Sequence, residues 1–214
     1  VKENILSDND AAASALRDRL KREKTFVLDL MSSPGAGKTT LLARTVPELK
    51  DSWKIGVIEA DIDSMVDAEK MRDAGVEAVQ LRTGGFCHLE AAMVASGLDG
   101  IGSADFDLIF IENVGNLVCP AEFDTGAIKN AMILSVPEGD DKPLKYPLMF
   151  SKCDVLVVSK TDMMPLSDFN MDALKERVGR LNPQMAIFPV SAKTGAGVNA
   201  WIDWLRSAMK DFAA

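Results

Sequence analysis

A loop that could bind phosphate stands at residues 32–40, which read Ser-Ser-Pro-Gly-Ala-Gly-Lys-Thr-Thr. An apolar segment precedes it, and a helical pattern that begins at Leu41 follows. Strand, glycine-rich turn, Gly-Lys-Thr and helix form the layout of a P-loop, whose backbone N–H groups surround phosphates at a helix N-terminus. Ser32 stands where the first glycine is usual. The pattern predicts nucleotide contacts from Gly35, Ala36, Gly37, Lys38, Thr39 and Thr40, with Lys38 on the β- and γ-phosphates and Thr39 on Mg²⁺.

A second pattern, at residues 159–162, predicts recognition of a guanine base. It reads Ser-Lys-Thr-Asp and follows the apolar strand 155–158. In such a motif the carboxylate of Asp162 accepts hydrogen bonds from the guanine N1–H and exocyclic amine, while the stem of Lys160 lies along the ring. Ser159 replaces the usual Asn, and adenine or no base recognition is the alternative. The residues expected behind the base are Ser191, Ala192 and Lys193, which follow another strand.

Acidic residues at two strand ends are candidates for holding Mg²⁺. Glu112 follows the strand 108–111, and Asp61 follows another strand. Carboxylates suit Mg²⁺ directly or through water, and Gly115 can offer its N–H to the γ-phosphate. Asp67 is a weaker candidate, and a solvated carboxylate is the alternative for each acid. The predicted catalytic residues are Lys38, Thr39, Asp61 and Glu112. No Gln or His is placed to orient the attacking water, so slow hydrolysis is expected.

The one histidine and two of the cysteines could bind a transition metal. Cys87 and His88 follow a glycine turn beyond a strand, and Cys119 lies just past the segment that is predicted to sense the γ-phosphate. Thiolate and imidazole are ligands for Zn²⁺ and Ni²⁺, and three of them leave a tetrahedral position for a second copy of the chain, a substrate or water. Two buried cysteines and a helix-capping histidine are the alternative. Cys153 is expected to be a small buried apolar side chain.

Composition limits the class of protein. The chain has 214 residues, 47% of them hydrophobic, and a formal net charge of −8. One domain of this size is expected, and the acidic charge argues against a nucleic-acid partner. No apolar run reaches the roughly 20 residues of a membrane span, so no membrane partner is expected. Three cysteines, an odd number, fit a reducing cytoplasm better than a disulfide scaffold.

Alternating strand and helix patterns predict the fold that must position these residues. Most of the strands are continuously apolar, as in a sheet covered by helices on both faces, and the alternation predicts parallel pairing. We expect an α/β P-loop NTPase with a mainly parallel sheet, an N-terminal helical extension at 1–24, and a GTPase domain with an embedded metal site at 25–214. The predicted strands are 26–31, 54–60, 76–81, 108–111, 131–136, 155–159 and 186–190, and the predicted helices are 38–49, 65–74, 88–97, 170–180 and 197–211. Ligands of such sheets bind at the carboxyl ends of the strands, where the motifs should meet.

Together these motifs resemble those of the hydrogenase nickel-incorporation GTPases, the HypB family. The matching segments occur in order along nearly the whole chain. They are 32–39, 59–63 (Glu-Ala-Asp-Ile-Asp), 85–89 (Gly-Phe-Cys-His-Leu), 112–120 (Glu-Asn-Val-Gly-Asn-Leu-Val-Cys-Pro) and 137–147 (Pro-Glu-Gly-Asp-Asp-Lys-Pro-Leu-Lys-Tyr-Pro). The resemblance implies a cytoplasmic GTPase that binds GTP or GDP, forms a homodimer, binds nickel or zinc through Cys87, His88 and Cys119, and helps to load nickel into [NiFe] hydrogenase. It also implies two partners, a HypA-type nickel accessory protein and the hydrogenase large-subunit precursor.

The chain departs from many members of that family in one respect. They often carry a Cys-rich or His-rich tract before the GTPase domain, whereas residues 1–86 contain neither residue. A second nickel site is therefore unsupported, although Val1 indicates an absent start and leaves such a tract open. Three other interpretations stay open. They are a urease-type nickel-delivery GTPase, whose members use a Cys-Pro-His motif, a GTP-controlled dimer with a purely structural zinc site, and a small-molecule kinase.

Overall fold

A computed structural model describes residues 2–61 and 76–214 of the chain. The predicted helix 65–74, which includes Asp67, lies outside the described residues, and so does the side chain of Asp61. The described strands are β1 Phe26–Ser32, β2 Ile55–Asp61, β3 Glu77–Arg82, β4 Leu108–Gly115, β5 Lys129–Ser135, β6 Val155–Ser159 and β7 Ala186–Pro189. The described helices are α1 Lys2–Glu23, α2 Lys38–Thr45, α3 Ala91–Ile101, α4 Cys119–Glu122, α5 Lys142–Lys145, α6 Pro147–Lys152, α7 Met171–Leu181 and α8 Val198–Ala213.

The strands form one seven-stranded sheet in the order β3-β2-β4-β1-β5-β6-β7. Every neighbouring pair runs parallel, which confirms the predicted pairing. Every residue of β1 and β6 is buried, as expected for strands covered on both faces. The carboxyl ends of β1, β2, β4 and β6 therefore lie at one edge, where the predicted nucleotide motifs meet.

Alternate residues of β1 pack into separate cores on the two faces of the sheet. Phe26, Leu28 and Leu30 join a core that contains side chains of α2 and α8. Val27, between them in sequence, joins a core with side chains of α1 and α3, and Met31 joins a third core with α6 and α7. Helices therefore cover both faces, and the α/β class is confirmed.

Proline residues account for the main differences between predicted and observed helices. The helix predicted over 38–49 ends as α2 at Thr45 and continues as a 3-10 turn over Val46–Glu48, because Pro47 has no N–H for the α-helical hydrogen bond. Three short helices lie in segments for which no helix was predicted. Each of them has a proline in its first turn, Pro120 in α4, Pro143 in α5 and Pro147 in α6, where a missing N–H costs nothing.

The predicted N-terminal helix is present as α1, which packs on α3 and β1. Its buried side chains, Asn9, Ala13, Leu16 and Leu20, form a stripe at the spacing of one helix face. Thr25, just after α1, donates a hydrogen bond to the carbonyl oxygen of Ser103 at 2.9 Å. Within the described residues, no helix has the length and apolarity needed to cross a bilayer.

Candidate nucleotide and metal site

The P-loop joins β1 to α2 with the backbone that phosphate binding requires. Gly35 and Gly37 have φ of +73° and +104°, a region that favours glycine, and α2 begins at Lys38. The ammonium of Lys38 is almost fully buried and donates to Ser32 Oγ at 2.9 Å. Ser32, which replaces the usual glycine, therefore orients the lysine that would reach the phosphates.

The predicted guanine motif lies against the P-loop. Ser159 Oγ donates to the carbonyl oxygen of Ala36 at 2.6 Å, and Lys160 Nζ donates to that of Gly35 at 2.7 Å. Ser191 Oγ donates to Asp162 Oδ1 at 2.7 Å. This hydrogen bond lowers the pKa of Asp162, which keeps the carboxylate ionised as an acceptor. A cavity of about 550 Å³ lies here, and its lining includes Gly37, Thr40, Lys160, Asp162, Ala192 and Lys193.

The predicted Mg²⁺ residues also meet at the end of the P-loop. Thr39 Oγ1 donates to Glu112 Oε1 at 2.7 Å, which places a hydroxyl and a carboxylate side by side as hard oxygen ligands. Gly115 lies against Pro34, since a Cβ at this position would be 2.9 Å from the Pro34 Cα. Asp61 is the last residue of β2. The strand end 112–115 is thus in direct contact with the phosphate-binding loop.

The predicted metal ligands come together in a cluster of Cys87, His88 and Cys119, here called the Cys-His-Cys cluster. Their donor atoms all lie within 4.8 Å of one another. The two sulfur atoms are 2.9 Å apart, and Cys87 Sγ lies 4.0 Å from His88 Nδ1. Because α3 begins only at Ala91, His88 lies with Cys87 in the loop before it and not in the helix that was predicted from residue 88. That loop position lets both side chains converge on Cys119 at the start of α4.

An aromatic ring and a carboxylate lie next to the histidine. The His88 ring stacks on Phe123 with centroids 3.8 Å apart, and His88 Nε2 lies 3.6 Å from Glu90 Oε1. The hydrogen bond with Cys87, together with burial, raises the pKa of Cys119. A metal that binds Cys119 must therefore displace its proton, as thiolate ligation requires.

Sequence reasoning missed a buried carboxylate, Asp29, at the centre of β1. Asn113 Nδ2 donates to both of its oxygens at 3.1 and 3.0 Å, and Thr125 Oγ1 donates to Oδ2 at 3.0 Å. Asn113 and Thr125 stand on either side of Cys119 in the chain. The Asp29 side chain therefore hydrogen-bonds to both ends of the segment that carries this cysteine. A single acid within an apolar strand pattern was the only sequence signal.

The charge on Asp29 is expected to make stability depend on pH. Burial raises the pKa of Asp29 to about 7 from an ordinary 3.8, although its hydrogen bonds and Lys38 oppose the shift. The unfolded chain loses this proton near pH 4, whereas the folded state keeps it up to about pH 7. The free energy of unfolding therefore falls as pH rises through this window. Between pH 5 and 8 the free energy of unfolding should fall by about 2.5 kcal/mol more in the wild type than in Asp29→Asn.

Denaturant unfolding at several pH values tests this expectation. Asp105→Asn, at an exposed site, is the matched control and should follow the wild-type curve. Parallel pH curves for the wild type and Asp29→Asn would show that Asp29 does not titrate in this range.

The fold and the site define a class, the P-loop nucleotide-binding proteins, here with the Cys-His-Cys cluster a few residues beyond the strand end that contacts the P-loop. The family profile "CobW/HypB/UreG, nucleotide-binding domain" matches residues 26–189. A hydrogenase maturation factor HypB from Rhizobium leguminosarum bv. viciae is 45% identical over 205 residues, which are 96% of this chain and 69% of the relative. A hydrogenase/urease maturation factor HypB from Helicobacter pylori is 45% identical over 195 residues, 89% of this chain and 80% of the relative.

Solved structures give the same assignment. The crystal structure of HypB from Helicobacter pylori in complex with nickel superposes with a TM-score of 0.89 at 40% identity, covering 95% of this chain and 96% of that one. HypB from Archaeoglobus fulgidus superposes with a TM-score of 0.88 at 35% identity, covering 95% and 99%. The chain belongs to the HypB family of hydrogenase maturation factors. The prediction of that family from the sequence is confirmed.

Proposed function

We propose that this chain is a GTP-hydrolysing metallochaperone. It binds Ni²⁺ or Zn²⁺ as cargo at Cys87, His88 and Cys119, and it assists nickel insertion into [NiFe] hydrogenase. Two facts support the cargo: related proteins are named hydrogenase maturation factors, and one solved relative is a complex with nickel. The chemistry agrees, because thiolate and imidazole suit nickel and zinc better than they suit Mg²⁺.

One observation carries the proposal: a single stretch of chain connects the nucleotide end of the site to the metal cluster. Glu112 contacts Thr39 of the P-loop, and Gly115 packs on Pro34. Cys119, a few residues further on, contacts Cys87. A change at the γ-phosphate that moves the start of this stretch would therefore also move a metal ligand.

Mg²⁺ fits the oxygen atoms beside the P-loop. The Thr39 hydroxyl and the Glu112 carboxylate are within hydrogen-bond distance of each other, and both are ligands that Mg²⁺ accepts. When bound, the ion neutralises phosphate charge. The buried Lys38 adds a second positive charge near the phosphates, and Asp162 selects the base. Asp61, at the end of β2, is proposed as a further ligand of the ion, directly or through water.

The three-ligand cluster supports the proposed protein partners. Three donors leave a fourth tetrahedral position, and the half-exposed Phe86 and Val118 flank the cluster, at 57% and 53% exposure. We place a nucleotide-dependent homodimer there, with a HypA-type protein and the hydrogenase large-subunit precursor as exchange partners in the cytoplasm. The Helicobacter relatives are named hydrogenase/urease maturation factors, which makes urease the second candidate acceptor. We also propose two parts of the chain, a helical extension at 1–24 and a GTPase domain at 25–214.

The test is a titration of Ni²⁺ into the protein loaded with GDP and with a non-hydrolysable GTP analogue. We expect the two dissociation constants to differ by about five- to tenfold, with the same factor for the effect of nickel on nucleotide affinity, because coupling is reciprocal. Cys119→Ala should abolish the difference, whereas Cys153→Ala, at a buried site away from the cluster, should preserve it. Equal affinity in both nucleotide states would contradict the coupling. Nickel that resists chelators equally in every state would favour a structural site.

A further inference from the structure

Asn9 occupies an unusual place on α1. Its side chain is 7% exposed and stands on the buried stripe with Ala13, Leu16 and Leu20. A buried amide needs partners for both its oxygen and its nitrogen, and here both partners are backbone groups from distant parts of the chain.

The two ends of this amide hold the two segments that carry the metal ligands. Asn9 Oδ1 accepts from the backbone N–H of Ala91 at 2.9 Å, and Asn9 Nδ2 donates to the carbonyl oxygen of Asp124 at 2.9 Å. Ala91 is the first residue of α3 and follows the loop with Cys87 and His88. Asp124 follows α4, which begins at Cys119. One amide thus connects the segment that follows Cys87 and His88 to the segment that follows Cys119.

Other contacts of α1 strengthen the hold on the Cys119 segment. Arg17 donates to both oxygens of Asp124 at 2.8 and 2.6 Å, a bidentate pair with defined geometry. Gly126 lies directly under the helix, since a Cβ there would be 2.9 Å from Leu16 Cδ2. α1 therefore contacts both side-chain and backbone atoms of the segment after Cys119. It contacts the start of α3, next to the Cys87–His88 loop, through Asn9.

We propose that Asn9 is a positioning residue for the metal site, which sets the separation between Cys119 and the Cys87–His88 pair. This inference rests on the proposed function, because it concerns the metal that the cluster would bind. Residues that orient ligands from behind typically change metal affinity by about 10- to 100-fold when they are replaced. By the same contacts α1 controls the geometry of the cluster.

Two variants of Asn9 and one control on the same helix test the proposal. Asn9→Ala removes both hydrogen bonds. Asn9→Asp is isosteric, keeps the acceptor for Ala91 and replaces the donor to the Asp124 carbonyl with a second acceptor, so it tests the bridge without leaving a cavity. Arg19→Ala is the control, because the Arg19 guanidinium binds Glu23, Asp99 and Ser103, none of which belongs to the cluster. The measurements are Ni²⁺ affinity, the thiolate-to-nickel absorption spectrum, GTP affinity and melting temperature.

We expect both Asn9 variants to bind Ni²⁺ about tenfold more weakly than the wild type and to show an altered thiolate-to-nickel spectrum, with GTP affinity unchanged. Arg19→Ala should lower the melting temperature but keep nickel affinity and spectrum. Wild-type affinity and spectrum in Asn9→Asp would overturn the proposal, as would an equal loss of nickel affinity in Arg19→Ala. A wild-type protein that binds no nickel would instead overturn the proposed function, so the two failures are distinguishable.

Discussion

Replacing Asp162 by asparagine is expected to convert the protein from a guanine to a xanthine nucleotide binder. The carboxylate can only accept hydrogen bonds, and the guanine N1–H and exocyclic amine are two donors. Asparagine offers an N–H₂ group that can donate to the carbonyl oxygen that xanthine carries in place of the amine. Each hydrogen bond to a charged group contributes about 1.5–3 kcal/mol, so we expect GTP affinity to fall at least about 100-fold.

The structure supplies a control for this change. The Ser191 hydroxyl donates to Asp162 Oδ1 at 2.7 Å and so orients the carboxylate, while Ser191 itself is expected behind the base and not on its hydrogen-bonding edge. Ser191→Ala should weaken GTP binding by about tenfold or less, because it removes a bond that orients the carboxylate but no hydrogen bond to the base, and it should keep the preference for GTP over XTP and ATP. Competition of the three nucleotides against a fluorescent GDP measures both effects. Unchanged GTP affinity in Asp162→Asn would remove this residue from the base site.

Motifs at the ends of strands could be predicted because their structure is local. The P-loop and the Ser-Lys-Thr-Asp pattern each follow a continuously apolar strand, and parallel pairing brings such strand ends to one edge. Two apparent departures from the usual patterns have structural roles that the sequence did not reveal. Ser32 accepts a hydrogen bond from Lys38, and Ser159 donates one to the backbone of Ala36. The predicted roles of Asp61 and Asp67 stay predictions.

The supports of the metal cluster could not be predicted, because their partners are far away in the sequence. Asn9 bonds to Asp124 and Ala91, and Asp29 bonds to Asn113, while periodicity reports only which face of an element is buried. A polar residue that continues an apolar stripe was nevertheless a usable signal for Asn9, since such a side chain must find buried partners. Asp29, one acid in an apolar strand, carried a weaker version of the same signal.

The largest effect on metal binding is expected from Cys87→Ala. Cys87 is the central donor of the cluster, because its sulfur lies 2.9 Å from Cys119 Sγ and 4.0 Å from His88 Nδ1. Its removal leaves one thiolate and one imidazole, too few to hold a transition metal tightly. His88 is the less informative choice, since its ring also stacks on Phe123, so its replacement changes packing as well as ligation. We expect Ni²⁺ affinity to fall at least about 100-fold with nucleotide affinity intact.

Cys153→Ala is the same chemical change at a site where we expect nickel binding to stay unchanged. Cys153 is 2% exposed and contacts Met149 Sδ at 3.8 Å in an apolar core, so its loss should cost about 1 kcal/mol of stability and leave nickel affinity unchanged. Calorimetric titration and the thiolate-to-nickel absorption band separate the two variants, because only Cys87→Ala should lose both the binding heat and the band. Wild-type nickel binding in Cys87→Ala would show that the ion binds elsewhere. A loss of similar size in both variants would show that folding, and not ligation, controls the measurement.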